Sequence, residues 1–276
     1  MSKNKTFNII CWICVVVFLL ITVFPFFWIL ISSFKPESEI FGANCYRIIA
    51  ENPTLDNYRT VIVEKGMLRA IGNSFVMSVA TTFYVVVVAS MSAYIISRFK
   101  FKGKNLLMGL ILAVAMFPQM IVVGPIFNMF YKMDILNTYW VCLAYSTITL
   151  PSAVWIMVAH FNQVPLALEE AAKIDGCSTW GMLWRIIFPI AAPGVFTTAI
   201  MSFIAAWNEY LLSCTLNIDE KIQTVPVRLS YLKDRYTVFW SQIAAATVVV
   251  VIPTLLIVLL FQKQIVAGIS NGAVKE

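Results

Sequence analysis

The chain has 276 residues, 60% of them hydrophobic and only 12% charged, with a mean hydropathy of +0.83. A soluble domain carries about 25% charged residues, so this composition excludes an ordinary water-soluble globule and marks an integral membrane protein of several helical spans. The net charge of +6 gathers on no face apart from one short loop, which argues against a nucleic-acid partner.

In chain order, Lys3 and Lys5 precede an apolar run reaching Ile31. The run is too long for a signal peptide and no small-residue cleavage site follows, so it reads as a retained first helix. Six stretches reach the roughly 20 residues that a bilayer requires, at about 7–32, 70–97, 105–131, 137–161, 184–212 and 241–262. No separate soluble domain has room between them, so residues 1–276 read as a single transmembrane domain with its core at about 70–262. An even number of spans places both termini on one side of the membrane.

The short loop Ser97–Asn105 holds Arg98, Lys100, Lys102 and Lys104, and such a density of basic residues marks the cytoplasmic side. Both termini and the segment Val164–Pro189 are then expected to face the cytoplasm. The basic run itself reads as a topology anchor near lipid headgroups. The long segments 33–69 and 213–240 fall on the outer side, where Glu37, Glu39, Glu51, Asp56, Glu64, Asp219 and Asp234 offset the basic residues. They exceed what a helical turn needs and read either as plain solvated connections or as partner-binding surfaces.

Pro25, Pro118, Pro125, Pro151, Pro189, Pro193 and Pro253 lie in or at the spans. Proline frees a backbone carbonyl and kinks a helix, and kinks in most spans point to a protein that changes shape. Ionisable residues are nearly absent from the spans, with Glu209 in Ala206-Trp207-Asn208-Glu209-Tyr210 the exception. Two readings stay open for it. A carboxylate at that depth is a functional candidate, which would make Trp207, Asn208 and Glu209 part of a translocation path. Alternatively it sits near the outer end of its span and reaches water or a neighbouring donor. Trp207, Tyr210, Tyr139 and Trp140 also suit an interfacial aromatic belt.

The six cysteines, Cys11, Cys14, Cys45, Cys142, Cys177 and Cys214, lie mostly in apolar surroundings and do not form a disulfide framework. Cys11 and Cys14 make a C-x-x-C, which could suggest a redox pair, but inside an apolar run with no βαβ context they read as buried thiols. His160 is the single histidine, and no set of metal ligands, paired carboxylates or nucleophile with a base appears. No catalytic residues and no metal site are expected, which disfavours a membrane enzyme. An ion-coupled secondary transporter or channel is the stronger alternative, although only Glu209 offers it a coupling group.

The polar interruption Val164–Pro189, VPLALEEAAKIDGCSTWGMLWRIIFP, has an ordered grammar. Pro165 suits the first turn of a helix. At about 100° per residue, Glu169, Glu170 and Lys173 share one face, while Ala167, Leu168, Ala171 and Ile174 share the other. Glu169 and Lys173 have the i,i+4 spacing of a helix-supporting pair. Asp175-Gly176 stops the helix through a left-handed glycine, and Ser178 caps the next one. The expected product is helix, turn, helix, with a small-residue face that could lie close against a partner.

This stretch resembles the EAA loop of ABC-importer permeases, through Glu170-Ala171-Ala172, Asp175-Gly176 and Ile186-x-Phe188-Pro189, with Phe188 where the pattern usually has leucine. Further tracts, NYRTV, NSFVMSV, SAYIISRFKFKGK, FPQMIVVGPIF, DILNTYW, SFIAAWNEYLL and GISNGAVKE, are similar to the carbohydrate-uptake subfamily, in particular the smaller permease subunit of its maltose-type members.

The resemblance implies an all-α integral membrane protein of six transmembrane helices with the type I ABC-importer permease fold and cytoplasmic termini, placed in a bacterial cytoplasmic membrane. It implies a coupling site for an ATPase at Glu169, Glu170, Ala171, Ala172, Asp175, Gly176 and Pro189. It further implies a second, related permease, two ATPase subunits, an extracytoplasmic sugar-binding protein and surrounding lipid as partners. The tail Gly272–Glu276 would approach the ATPases. The chain has no G-x-x-x-x-G-K-[ST] phosphate loop, so ATP and Mg would be bound by the partner and no cofactor by this chain.

Overall fold

The computed structural model describes residues 5–42, 45–233 and 237–273, with side chains described between Phe7 and Gln262. Lys3, Asp234 and residues 274–276 of the tail lie outside this description. In chain order the main helices are α1 (Lys5–Ser32), α2 (Met67–Arg98), α3 (Lys104–Ala115), α4 (Gln119–Lys132), α5 (Val141–Asn162), α6 (Leu166–Ile174), α7 (Thr179–Ile190, with a π-turn at Leu183–Ile187), α8 (Ala192–Trp207), α9 (Leu211–Leu216), α10 (Val225–Ser230) and α11 (Trp240–Ala273).

Among the described residues the structure is all-helical, and four helices are individually long and apolar enough to cross a membrane: Phe7–Ser32, Met67–Arg98, Val141–Asn162 and Trp240–Gln262. The stretch expected as one span at 105–131 is α3 and α4 bent by 93°, and the stretch expected at 184–212 is α7 and α8 bent by 84°, with α9 separate. Each bent pair counted as one span gives six. Proline causes both breaks. Pro118 stands in extended conformation just before α4, and the residue before a proline is itself disfavoured in a helix. Pro189 and Pro193 remove two donors four residues apart, and the chain opens into the π-turn immediately before the first. Pro25, Pro125, Pro151 and Pro253 sit inside helices that continue.

The chain divides into two compact units, Met1–Leu68 with Arg228–Leu255, and Arg69–Val227 with Leu256–Glu276. In the first unit, α1 buries none of its most apolar stretch against the chain. Cys11 and Cys14 are therefore exposed on it rather than buried as expected, and whatever surrounds them lies outside this polypeptide.

The segment after α1 is folded, not a plain solvated connection. Lys35 is buried, donates to the carbonyls of Cys45 (2.9 Å) and Arg47 (2.6 Å), and lies 5.1 Å from the Trp28 ring. Asn57 Nδ2 donates to the Ser33 and Lys35 carbonyls at 3.0 and 2.9 Å. Glu37 accepts from the amides of Trp240 and Ser241, each at 2.9 Å, at the start of α11, where a carboxylate also meets the positive end of the helix dipole.

The second unit has two apolar cores. One gathers the C-terminal half of α2 with α5, α7 and the start of α8, including Ala89, Ala93, Met157, Phe161, Met182 and Ile187. The other joins Met77, Phe130, Tyr145, Ala206, Leu212 and Leu216. Where α8 crosses α5, Gly194 lies so close to His160 that a Cβ there would stand 2.2 Å from its ring carbon Cγ. The lone histidine is thus a packing residue beneath a glycine.

Candidate functional site

The local grammar of residues 164–189 is realised. Pro165 precedes α6 in extended conformation, and Gly176 stops the helix with φ +78°. Ser178 Oγ accepts from the Gly181 amide at 3.1 Å and so caps α7. The helix faces differ from the expected ones. Glu169 and Ala172, one turn apart, point into the chain and are buried, whereas Glu170, Ala171, Lys173 and Asp175 are exposed. Leu166 and Leu168 are exposed as well, and Ile174 is 87% exposed. Apart from Ala172, the apolar residues of α6 thus face away from their own chain.

Glu169 does not serve an exposed pair with Lys173. Its carboxylate forms an ion pair with Arg98, the last residue of α2, and the two side chains are only 5% and 7% exposed. The same guanidinium donates through Nη2 to the Val164 carbonyl at 3.1 Å. A desolvated, charge-assisted bond of this kind outweighs the few tenths of a kcal/mol of an exposed i,i+4 pair. Arg98 is correspondingly no headgroup anchor. One turn earlier on α2, the Tyr94 hydroxyl donates to Met182 Sδ on α7 at 3.7 Å, so the end of α2 touches both helices of the loop.

The second candidate set, Trp207, Asn208 and Glu209, follows α8. Trp207 is buried and stacks on Phe203 at 5.8 Å. Glu209 is buried too. It accepts from the amides of Leu212 and Ser213 and from Gln119 Nε2, each at 2.9 Å. The carboxylate pairs the buried N–H donors at the start of α9, which lack intrahelical acceptors, and ties them to the first residue of α4. Of the two readings of Glu209, the geometry matches the one with neighbouring donors. Asn208 is the member of the set with an exposed side chain.

Sequence reasoning missed a polar clasp that holds the segment after α9. Asn73 Nδ2 donates to the carbonyls of Lys221 and Gln223 at 3.0 and 2.9 Å, and its Oδ1 accepts from the Tyr139 hydroxyl at 2.8 Å. Ser74 Oγ accepts from the Val225 amide at 2.8 Å, and the Ser213 and Thr224 hydroxyls meet at 2.7 Å. Residues 222–227 are largely buried, so this part of the expected outer loop is folded in. Tyr139 is accordingly a hydrogen-bond donor within the chain, not simply a belt residue. The available signal was the pair Asn73-Ser74, two amide- and hydroxyl-bearing side chains entering an otherwise apolar span.

Residues 85–271 match the family described as binding-protein-dependent transport system inner membrane component. The chain is 35% identical to the trehalose/maltose transport system permease protein MalG of Thermococcus litoralis, over 93% of this chain and 92% of that protein. It is 37% identical to the trehalose transport system permease protein SugB of Mycobacterium tuberculosis, over 91% of this chain and 92% of that one. Among solved structures, the fold is similar to a chain of a bacterial ABC transporter involved in the import of the acidic polysaccharide alginate, with a TM-score of 0.79 at 18% identity, covering 95% of this chain and 98% of that one.

Proposed function

We propose, because this chain belongs to the family of binding-protein-dependent transport system inner membrane components, that it is one permease subunit of an ATP-driven ABC importer for an oligosaccharide. The relatives named for trehalose and maltose support a sugar as cargo. The partners are a second related permease, two ATPase subunits and an extracytoplasmic binding protein, with lipid around the spans.

The observation that carries this reading is α6. Its Leu166, Leu168, Ala171 and Ile174 are exposed on a short helix outside the long apolar helices, and several exposed apolar side chains gathered on one such helix suit an interaction site. In this reading α6 faces the cytoplasm and docks on an ATPase subunit. Glu170, Ala171, Asp175 and Gly176 supply the outer side of that contact. Glu169 and Ala172 hold the helix from beneath, and Pro189 marks the break through which motion enters α7 and α8. ATP and Mg belong to the ATPases, since this sequence has no phosphate-binding loop of its own. Closure of the ATPase pair favours the outward-facing arrangement through unequal affinity for the two states. The segments 33–69 and 213–240 meet the binding protein, the tail Gly272–Glu276 approaches the ATPases, and Asn208 is the remaining candidate to face the path.

A photo-crosslinker at Ile174 in the assembled complex is expected to capture an ATPase subunit. Proteoliposomes carrying the complex, with the binding protein outside and trehalose or maltose as probe sugars, are expected to take up one of them only with ATP inside. Labelling of Ile174 from the extracytoplasmic side would overturn the orientation. Uptake driven by an ion gradient without ATP would favour a secondary transporter instead.

A further inference from the structure

We infer that Arg98 is a positioning residue for coupling, a latch that makes α6 and the end of α2 move as one body. The inference rests on the reading of α6 as the ATPase-docking helix. The guanidinium holds α6 at two points: the Val164 carbonyl just before the helix, at 3.1 Å, and the Glu169 carboxylate, half-way along it. Attachment at one point would leave the helix free to swivel, whereas two points separated along its axis fix both its direction and its rotation. Arginine suits the task because its planar fork presents several donors in fixed geometry, which a lysine ammonium does not. The pair is sealed from water, so it is neither screened by salt nor loosened by hydration as an exposed pair would be. Tyr94, on the preceding turn of α2, contacts Met182 on α7. A push received by α6 therefore reaches the 32-residue helix α2 directly as well as through the chain into α7.

The test uses the full complex with its ATPase subunits in nanodiscs. Spin labels are placed at the exposed residues Lys100 and Lys173, attached through non-canonical amino acids so that the native cysteines remain. In the unmutated chain, the label separation should stay within about 2 Å between the nucleotide-free and ATP–vanadate states. In R98M/E169L both charges are removed together, a change that buried ion pairs often tolerate without loss of fold. There the labels should part by about 5 Å, one helical turn, or their distribution should broaden by as much. A separation as fixed in R98M/E169L as in the unmutated chain would overturn the latch. Should that variant fail to assemble, the swapped R98E/E169R decides: a fixed separation supports the latch and a loosened one overturns it. Failure of the unmutated chain to retain ATPase subunits would instead remove the reading on which the inference stands.

Discussion

Glu169 and Glu209 are both buried carboxylates, 3% and 6% exposed, and they are held in opposite ways. Glu169 is answered by a full positive charge from a residue 71 positions earlier. Glu209 is answered only by neutral N–H groups, two of them backbone amides within four residues. The first is a tertiary ion pair whose halves mutation can separate. The second is a helix cap with one long-range bond to Gln119. The comparison predicts that damage at the first site follows charge balance, whereas damage at the second follows the number of acceptors left. The largest effect is expected from Arg98→Ala, which strands a buried carboxylate at a cost of about 3–5 kcal/mol. Calorimetry of the purified chain should show the melting temperature falling by about 10 °C.

Glu209→Ala ranks next. It leaves two buried amides and a glutamine without an acceptor, a loss of about 2–4 kcal/mol once neighbours relax. Glu209→Gln keeps one acceptor oxygen and should lose about half of that. The same melting experiment distinguishes the two roles of this carboxylate. If glutamine proved as harmful as alanine, the charge itself would matter, and the capping account would have to yield to a functional one at this depth.

The contrast also separates what the sequence made legible from what it did not. The helix stop at Gly176 and the cap at Ser178 are decided within three residues, by backbone sterics and a single hydroxyl, so the spacing alone identifies both. Arg98 and Glu169 are decided by packing between two helices. Periodicity placed Glu169 on a polar face with Glu170 and Lys173, and a polar face directed inward toward a guanidinium has the same period as one directed toward water. The prolines follow the same rule. Seven lie in or at the spans, yet only Pro118 and the pair Pro189 and Pro193 accompany sharp bends. Pro25, Pro125, Pro151 and Pro253 stay within helices, because neighbouring groups decide whether a freed carbonyl is tolerated. The total of six apolar stretches was readable from hydropathy, and the division of two of them into bent pairs was not.

The smallest expected effect provides the uncharged, exposed counterpart to Glu209. Ser178 caps α7 through one hydroxyl, as Glu209 caps α9 through two oxygens, but the Ser178 Oγ that accepts from the Gly181 amide lies at an exposed position. In Ser178→Ala water can replace the lost acceptor, so the cost should be about 1 kcal/mol and the melting temperature should move by only about 2–4 °C. The loss should instead appear locally, as faster hydrogen exchange at the Gly181 amide with little change at Leu212 and Ser213. Glu209→Gln should give the reverse pattern. If Ser178→Ala lowered the melting temperature as far as Glu209→Ala, access to water would not be what separates the two caps, and the ranking of all three substitutions would lose its physical basis.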